Sequence, residues 1–170
     1  MNNTIFINLE KENIKGNVLD VGFINYGIIY PLFKNGEDEI SVDYVEGKSE
    51  FNKIEKDFYD NCIVFFSLGE IRFSHNKNKV LKDLAEYIKK DGILYLWDID
   101  KPISKIFHKR IKIMLPDREF KQIVIKDYNI LRKRSFNGIK KLIEKYFEII
   151  DYKHSDNIYC IKGKRRGSYE

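Results

Sequence analysis

The residues with the clearest chemical potential follow an apolar segment near the start of the chain. Val18 to Val21 has the character of a buried strand, and it leads through Asp20 and Gly22 into a loop that also contains Gly27. Glycines in such a loop let the backbone approach a bound cofactor closely, because they carry no Cβ. This segment therefore predicts a cofactor-binding turn, with a plain turn glycine as the alternative for Gly22.

A second acidic position follows the next predicted strand, Glu39 to Tyr44. Asp43 lies at the end of that strand, where a carboxylate can accept two hydrogen bonds from vicinal ribose hydroxyls. Tyr44 beside it can cover the face of an adenine ring. The alternative for Asp43 is an ordinary carboxylate in a turn.

Polar residues also follow two later apolar runs, and they are candidates for contacts with a second substrate: Ser67, Gly69, Glu70, Arg72, Asp98 and Asp100. His75 can act there as a general base, although a polar residue at a helix start is its simpler interpretation. Cys62 and Cys160 are far apart and belong to no Cys/His cluster, so we expect buried thiols and no metal site.

The hydrophobic pattern predicts strands alternating with helices. Asn61 to Ser67 is the most apolar run, as expected for a strand covered on both faces. An amphipathic helix over 78–90 ends at Asp91 and Gly92, which lead into a strand over 93–98. The other predicted elements are short helices over 28–33 and 49–56, a hairpin over 110–126, a helix over 135–146 and strands over 147–153 and 157–162.

Length and composition predict one domain over residues 1–170, with a hairpin or flap inserted near 99–134 and a basic tail at 163–170. A chain of this size buries roughly 70% of its unfolded surface. The sequence contains neither a signal-peptide pattern nor an apolar run of spanning length, so a cytoplasmic protein is expected. Abundant Lys, Ile and Asn are typical of an AT-rich genome, and we expect a bacterial source.

The net charge of +5 is unevenly distributed. Residues 1–100 hold 12 Lys and Arg against 18 Asp and Glu, whereas residues 101–170 hold 19 against 8, a balance of −6 and then +11. A basic second part can bind nucleic acid or an acidic protein. Solvated helix faces and a loose tail are the alternative, and the sequence shows no aromatic-interleaved signature of RNA binding.

The order of these elements resembles the class I S-adenosylmethionine-dependent methyltransferases over roughly residues 16–163. Val18 to Gly22 resembles the family's first motif, Phe58 to Phe65 its fourth strand and Lys89 to Leu96 its fifth. The resemblance implies a three-layer Rossmann-like α/β fold, with a mostly parallel sheet and an antiparallel edge strand at the C-terminus. It also implies that S-adenosylmethionine is the cofactor and that its contacts come from Asp20, Gly22, Phe23, Gly27, Asp43, Tyr44, Ser67 and Leu68.

Two departures from the family pattern leave two functions open. Ile24 and Tyr26 occupy its second and third glycine positions, and only about 17 residues separate Asp43 from Asn61, too few for a third strand. We therefore expect a sheet reduced at that edge. The first hypothesis is a methyltransferase acting on a small molecule or an accessory substrate, with the insertion over 99–134 as a lid or acceptor-binding flap. The second is a non-catalytic module of the same fold that binds a partner through its basic surface.

Overall fold

The computed structural model describes residues 3–12, 14–22, 28, 42–46 and 54–167. Its strands are β1 (Thr4–Asn8), β2 (Val18–Gly22), β3 (Val42–Glu46), β4 (Tyr59–Phe65), β5 (Ile88–Ile99), β6 (Phe107–Met114), β7 (Phe120–Asp127), β8 (Phe147–Ser155) and β9 (Ile158–Arg165). The helices are α1 (Ser74–Tyr87) and α2 (Phe136–Ile143), and a single 3₁₀ turn spans Leu68–Glu70. No helix within these ranges is long and apolar enough to cross a bilayer.

Two mixed sheets form the fold. The larger sheet has the strand order β3-β2-β4-β5-β9-β8, and the smaller has the order β1-β6-β7. The pairings from β3 to β5 are parallel, whereas β9 is antiparallel to both β5 and β8. The prediction of a mostly parallel sheet is therefore not confirmed. The antiparallel strand also lies one place inside the edge, since β8 is the edge strand.

The predicted reduction of the larger sheet concerns the side on which β3 lies. Within the described residues, β3 is the last strand on its side of the larger sheet, and the next strand along the chain, β4, lies on the other side of β2. A sheet that lacked a strand at this edge would still form, because its central strands would keep both of their partners.

The larger sheet carries a hydrophobic core on each face. Leu94 and Leu96 of β5 face α1 and α2, in a cluster that includes Leu81 and Ile139. The alternate residues Tyr95 and Trp97 face the smaller sheet and pack in a second cluster with residues of β6 and β7. This alternation follows from the two-residue period of a strand. The three layers are therefore helices, larger sheet and smaller sheet.

The hairpin β6–β7 is part of the core rather than a lid. Ile111 and Ile113 of β6 are completely buried, and β6 also pairs in parallel with β1. The sequence predicted both hairpin strands but missed β1, which is short and half exposed. The predicted basic tail is likewise part of the fold up to Arg165, which ends β9.

Several predicted boundaries shift. The helix over 78–90 is α1, which begins at Ser74 and ends at Tyr87, and β5 begins at once with Ile88. Asp91 and Gly92 therefore lie inside a strand: Asp91 has φ 68°, and a Cβ on Gly92 would lie 2.9 Å from the Asp60 carbonyl oxygen. The helix predicted over 28–33 lies outside the described residues except for Ile28. Of the segment 49–56, residues 54–56 are described and not helical.

Candidate functional site

The winding direction of the larger sheet reverses between β2 and β4. The chain passes from β2 to β3 on one side and then to β4 on the other, and all three strands run parallel. Their carboxyl ends therefore lie side by side, at Gly22, Glu46 and Phe65. Open α/β sheets bind ligands in the crevice at such a switch point. Asp20 and Gly22, predicted from sequence to contact a cofactor, lie at or next to it.

Asp20 is a buried carboxyl two residues before the end of β2. Its side chain is 8% exposed, and its backbone pairs with Tyr44 on one side and Ile63 on the other. Burial raises the pKa of Asp20 to about 7, because removal from water disfavours the ionised form. Asp20 can therefore gain or lose a proton near neutral pH.

The carboxylate at the end of β3 is Glu46, not Asp43. Asp43 pairs with Leu19, whereas Glu46 pairs with Gly22 at the very end of both strands. The sequence predicted that this strand ends at Tyr44. Val45 continues the apolar character past that point, and this signal could have located the true end. Phe23, Gly27, Ile24 and Tyr26 lie outside the described residues.

The chain makes a tight internal turn after β4. Phe66 adopts a left-handed conformation with φ 52°, and its amide donates to the Trp97 carbonyl at 2.8 Å. The buried Ser67 hydroxyl donates to the Phe65 carbonyl at 3.0 Å, and Leu68 packs in the core on the helix side. The Ser67 oxygen keeps lone pairs that can accept a further hydrogen bond.

Carboxylates predicted to face a second substrate contact other residues of the chain instead. Asp98 is completely buried, accepts from the Gly69 amide at 2.6 Å and forms an ion pair with Arg134. Glu70 also accepts from Arg134, at 3.1 Å. The other carboxylate of this group, Asp100, lies 2.9 Å from His154 Nε2 and accepts from the Phe136 amide at 3.2 Å.

Arg134 joins these acids to the segment that carries β6 and β7. Its guanidinium also donates to Asp127 at 3.4 Å, and Asp127 forms an ion pair with Arg132 at 3.1 Å. Burial opposes the charge of Arg134, but Asp98 and Glu70 outweigh it and raise the pKa of Arg134. Lys101 lies beside them, and its ammonium donates to three backbone carbonyls, those of Lys105, Asn129 and Arg132.

We call Asp98, Arg134, Asp127, Glu70, Arg132 and Lys101 the buried ion network. Of this network, the sequence pattern indicated only Glu70 after β4 and Asp98 after β5 as candidate functional residues. Its cations were counted with the basic surface. They lie far along the chain from Asp98 and Glu70, so the sequence does not show that they pair with these acids.

The structure leaves His75 outside this network. His75 is exposed in the first turn of α1, where its ring stacks on Phe73 with centroids 5.7 Å apart. The guanidinium of the exposed Arg72 lies over the Phe73 ring. Lys77, two residues further along α1, was missed: it is half-buried, and burial lowers the pKa of its ammonium group despite the nearby Asp98. The sequence does not show whether the pKa of Lys77 is raised or lowered.

A cavity of about 280 Å³ opens elsewhere, between β1 and the β8–β9 hairpin. Its lining includes Trp97, Cys160 and Lys162, and Lys162 forms an ion pair with Glu12 at 2.8 Å. Of the predicted cofactor residues, those that the structure describes do not line this cavity.

Burial raises the pKa of Cys160 to about 12 and that of Cys62 well above its usual range, so neither thiol is a nucleophile near neutral pH. Within the described ranges, His, Cys, Asp and Glu form no group of three or more that could hold a metal ion.

Comparison with solved structures identifies the fold. The PH0226 protein from Pyrococcus horikoshii OT3 superposes with a TM-score of 0.62 at 16% identity, over 93% of this chain and 86% of that one. A 1,6-didemethyltoxoflavin-N1-methyltransferase from Burkholderia thailandensis, solved with S-adenosylhomocysteine, gives 0.54 at 9% identity, over 89% and 71%. The chain has the fold of the S-adenosylmethionine-dependent methyltransferases. The fold resemblance drawn from the sequence is thereby confirmed.

The methyltransferase fold is also found among proteins with other names. The [4+2]-cyclase SpnF superposes with a TM-score of 0.59 at 10% identity, over 88% of this chain and 74% of that one. Neither protein-family profiles nor curated proteins match the sequence. The likeness therefore establishes architecture, and function has to be argued from the site.

Proposed function

We propose that the protein is an S-adenosylmethionine-dependent methyltransferase that acts on a small-molecule acceptor. The observation that carries the proposal is the meeting of Gly22 and Glu46 at the carboxyl ends of paired strands, at the switch point of the sheet. Asp20 adds a buried carboxyl close to the same point. The solved methyltransferases of the same fold support the choice of cofactor.

The chemistry of these residues fits the proposed cofactor. S-adenosylmethionine carries positive charge and a ribose with vicinal hydroxyls. A cation near Asp20 would favour its ionised form and lower the pKa from about 7. We assign the ribose contact to Glu46, which ends β3 beside Gly22, in place of Asp43, for which that contact was predicted. We assign the remaining contacts to Phe23, Gly27, Tyr44, Ser67 and Leu68.

Bound in this crevice, the cofactor would supply an electrophilic methyl group. Methyl transfer depends mostly on the alignment of nucleophile and methyl group, so the protein's main task is to position the two substrates. The buried ion network holds the turn after β4 against β5, because Asp98 bonds to both Gly69 and Arg134. This arrangement fixes the wall of the crevice on the acceptor side.

Calorimetric titration with S-adenosylmethionine and S-adenosylhomocysteine tests the proposal. We expect Glu46→Ala to weaken binding by about 1–3 kcal/mol, the range for lost charge-assisted hydrogen bonds. Asp43→Ala is the matched control and should change the affinity by less than about 0.5 kcal/mol. If Asp43→Ala weakened binding more than Glu46→Ala, the ribose contact would belong to Asp43. An absence of binding heat at about 1 mM of either ligand would refute the enzyme.

A non-catalytic module is the second candidate function, and one observation favours it. Of the acids expected to meet an acceptor, Asp98 and Glu70 form ion pairs with Arg134, and Asp100 lies 2.9 Å from His154 Nε2. A protein that had lost its acceptor site would show such internal pairing. The titration separates the two candidates, since a partner module needs no affinity for the cofactor.

A further inference from the structure

The outer face of the smaller sheet has an unusual composition for a surface with no described neighbour. Strand alternation turns Ile5, Ile7, Ile111, Ile113 and Ile125 toward the core. The opposite positions form what we call the outer face: Thr4, Phe6, Asn8, His108, Arg110, Lys112, Met114, Phe120, Gln122, Val124 and Lys126. None of these positions holds Asp or Glu.

Positive charge is concentrated on this face. Arg110 and Lys126 are exposed, Lys112 is half-exposed, and His108 lies opposite Lys126 on the neighbouring strand. None of these three cations forms an ion pair with another described residue, in contrast to the cations of the buried ion network. The face therefore presents uncompensated positive charge, the electrostatic requirement for binding a polyanion.

Aromatic rings alternate with these cations. Phe6 is 65% exposed and Phe120 is 48% exposed, and both belong to the outer face. The Lys112 ammonium lies between them, 4.3 Å from the centroid of the Phe120 ring and 5.8 Å from that of Phe6. At the other end of the face, the Tyr128 hydroxyl meets His108 Nδ1 at 2.9 Å. Exposed rings on a flat sheet are surfaces on which nucleic-acid bases can stack.

We propose that the outer face binds single-stranded nucleic acid. Unpaired bases would stack on Phe6 and Phe120, while Lys112, Arg110 and Lys126 would contact phosphates. In a double helix the faces of the bases are stacked on each other and cannot reach Phe6 and Phe120. An acidic peptide has no regularly spaced rings to stack on these phenyl groups. A single strand offers both phosphates for the cations and bases for the rings. The sequence showed the basic second half but not the aromatic pattern, because Phe6 is separated from Lys112 by more than 100 residues. This proposal does not depend on methyltransferase activity.

Fluorescence anisotropy with the full chain and a labelled oligo(dT) of about 12 nucleotides tests the proposal, in about 50–200 mM salt. We expect binding that weakens with salt at a slope of about −2 on logarithmic axes, since three cations release about 0.7 counterion each from a single strand. Phe6→Ala and Phe120→Ala should each weaken binding roughly 5- to 100-fold. Both rings are exposed, so unchanged circular dichroism will show that the variants fold.

Matched variants separate stacking from charge alone. Phe73 is similarly exposed, at 53%, but precedes α1 on the helix side of the larger sheet, so Phe73→Ala should leave the affinity unchanged. Lys112→Gln should reduce the salt slope by about 0.7. Absence of binding at about 50 mM salt would overturn the proposal. Equal affinity for poly-glutamate, or binding that survives loss of both phenyl rings, would overturn it in favour of a nonspecific surface for acidic partners.

Discussion

At the scale of single residues, Asp20 makes stability depend on pH. The folded protein keeps a proton on Asp20 up to about pH 7, whereas an unfolded chain releases it near 3.8. The folded state therefore binds more protons between these values, and the free energy of unfolding falls as pH rises through that window. We expect Asp20→Asn to remove most of this fall and to stabilise the protein by about 2–4 kcal/mol at pH 8.

Urea unfolding at pH 5 and pH 8 measures the effect of Asp20→Asn. Asp151→Asn is the control, because Asp151 is an exposed strand carboxylate. If the free energy of unfolding of the wild type were the same at pH 5 and pH 8, the raised pKa of Asp20 would be contradicted. The same experiment in the presence of cofactor shows whether Asp20 ionises on binding.

Gly69 is the second sensitive residue, because the Arg134 guanidinium occupies the space next to its Cα. A Cβ on Gly69 would collide with that group and displace Arg134 from Asp98. We expect Gly69→Ala to lower the free energy of unfolding by about 3 kcal/mol, comparable with breaking a buried ion pair. Gly138→Ala is the control: in the first turn of α2 its Cβ would meet Ser135 at 3.4 Å, and the effect should stay below about 1 kcal/mol. If both variants had the same free energy of unfolding, Arg134 would be able to move away from the new Cβ without destabilising the protein.

Residue roles were predictable from sequence only where strand ends were placed correctly. Gly22 was located because β2 is apolar up to its glycine except for Asp20. The strand β3 ends at Glu46 rather than at Tyr44 as predicted, since Asp43 and Glu46 both follow valine and only backbone pairing distinguishes their positions, and the cofactor contact of Asp43 stays a prediction. The partner of Asp98 lies 36 residues away, and no local pattern connects Asp98 to Arg134.

At the scale of elements, the hairpin β6–β7 packs on the face of the larger sheet opposite α1 and α2. Its inner residues fill the core over β4 and β5, as the complete burial of Ile111 shows. We expect Ile111→Ala to lower the free energy of unfolding by about 2–5 kcal/mol, through lost burial and a cavity. Val124→Ala on the outer side, 44% exposed, should cost less than about 1 kcal/mol. Chemical denaturation measures both, and a mild effect of Ile111→Ala would restore the lid interpretation.

Elements with strong local signals were the ones that the sequence predicted. Continuous apolar runs located β2, β4 and the second half of β5, and helical spacing located α1 and α2. Thr4–Asn8 escaped notice because a half-exposed strand of five residues gains its stability from pairing with the distant β6. The direct passage from α1 into β5 was missed because Asp91 and Gly92 are typical of a turn, whereas here they form an irregularity between paired strands.

At the scale of the whole molecule, two cores share one sheet. The apolar residues of β4 and β5 divide between the two clusters, so the helix-side and sheet-side cores depend on the same hydrogen-bonded strands. Loss of either core would leave a large apolar face of these strands in water. Such coupling favours a single cooperative unfolding transition for the described part of the chain.

Trp97 offers a direct test of this cooperativity. It is the only tryptophan in the sequence, is buried and belongs to the sheet-side core, so its fluorescence reports on that core. Ile139 lies on α2 in the helix-side core. We expect Ile139→Ala to lower the midpoint of the Trp97 fluorescence transition as much as that of the far-ultraviolet circular dichroism, with a destabilisation of about 2–5 kcal/mol. If the fluorescence midpoint stayed at its wild-type value while the dichroism midpoint fell, the two cores would unfold separately, and the smaller sheet would be an independent layer.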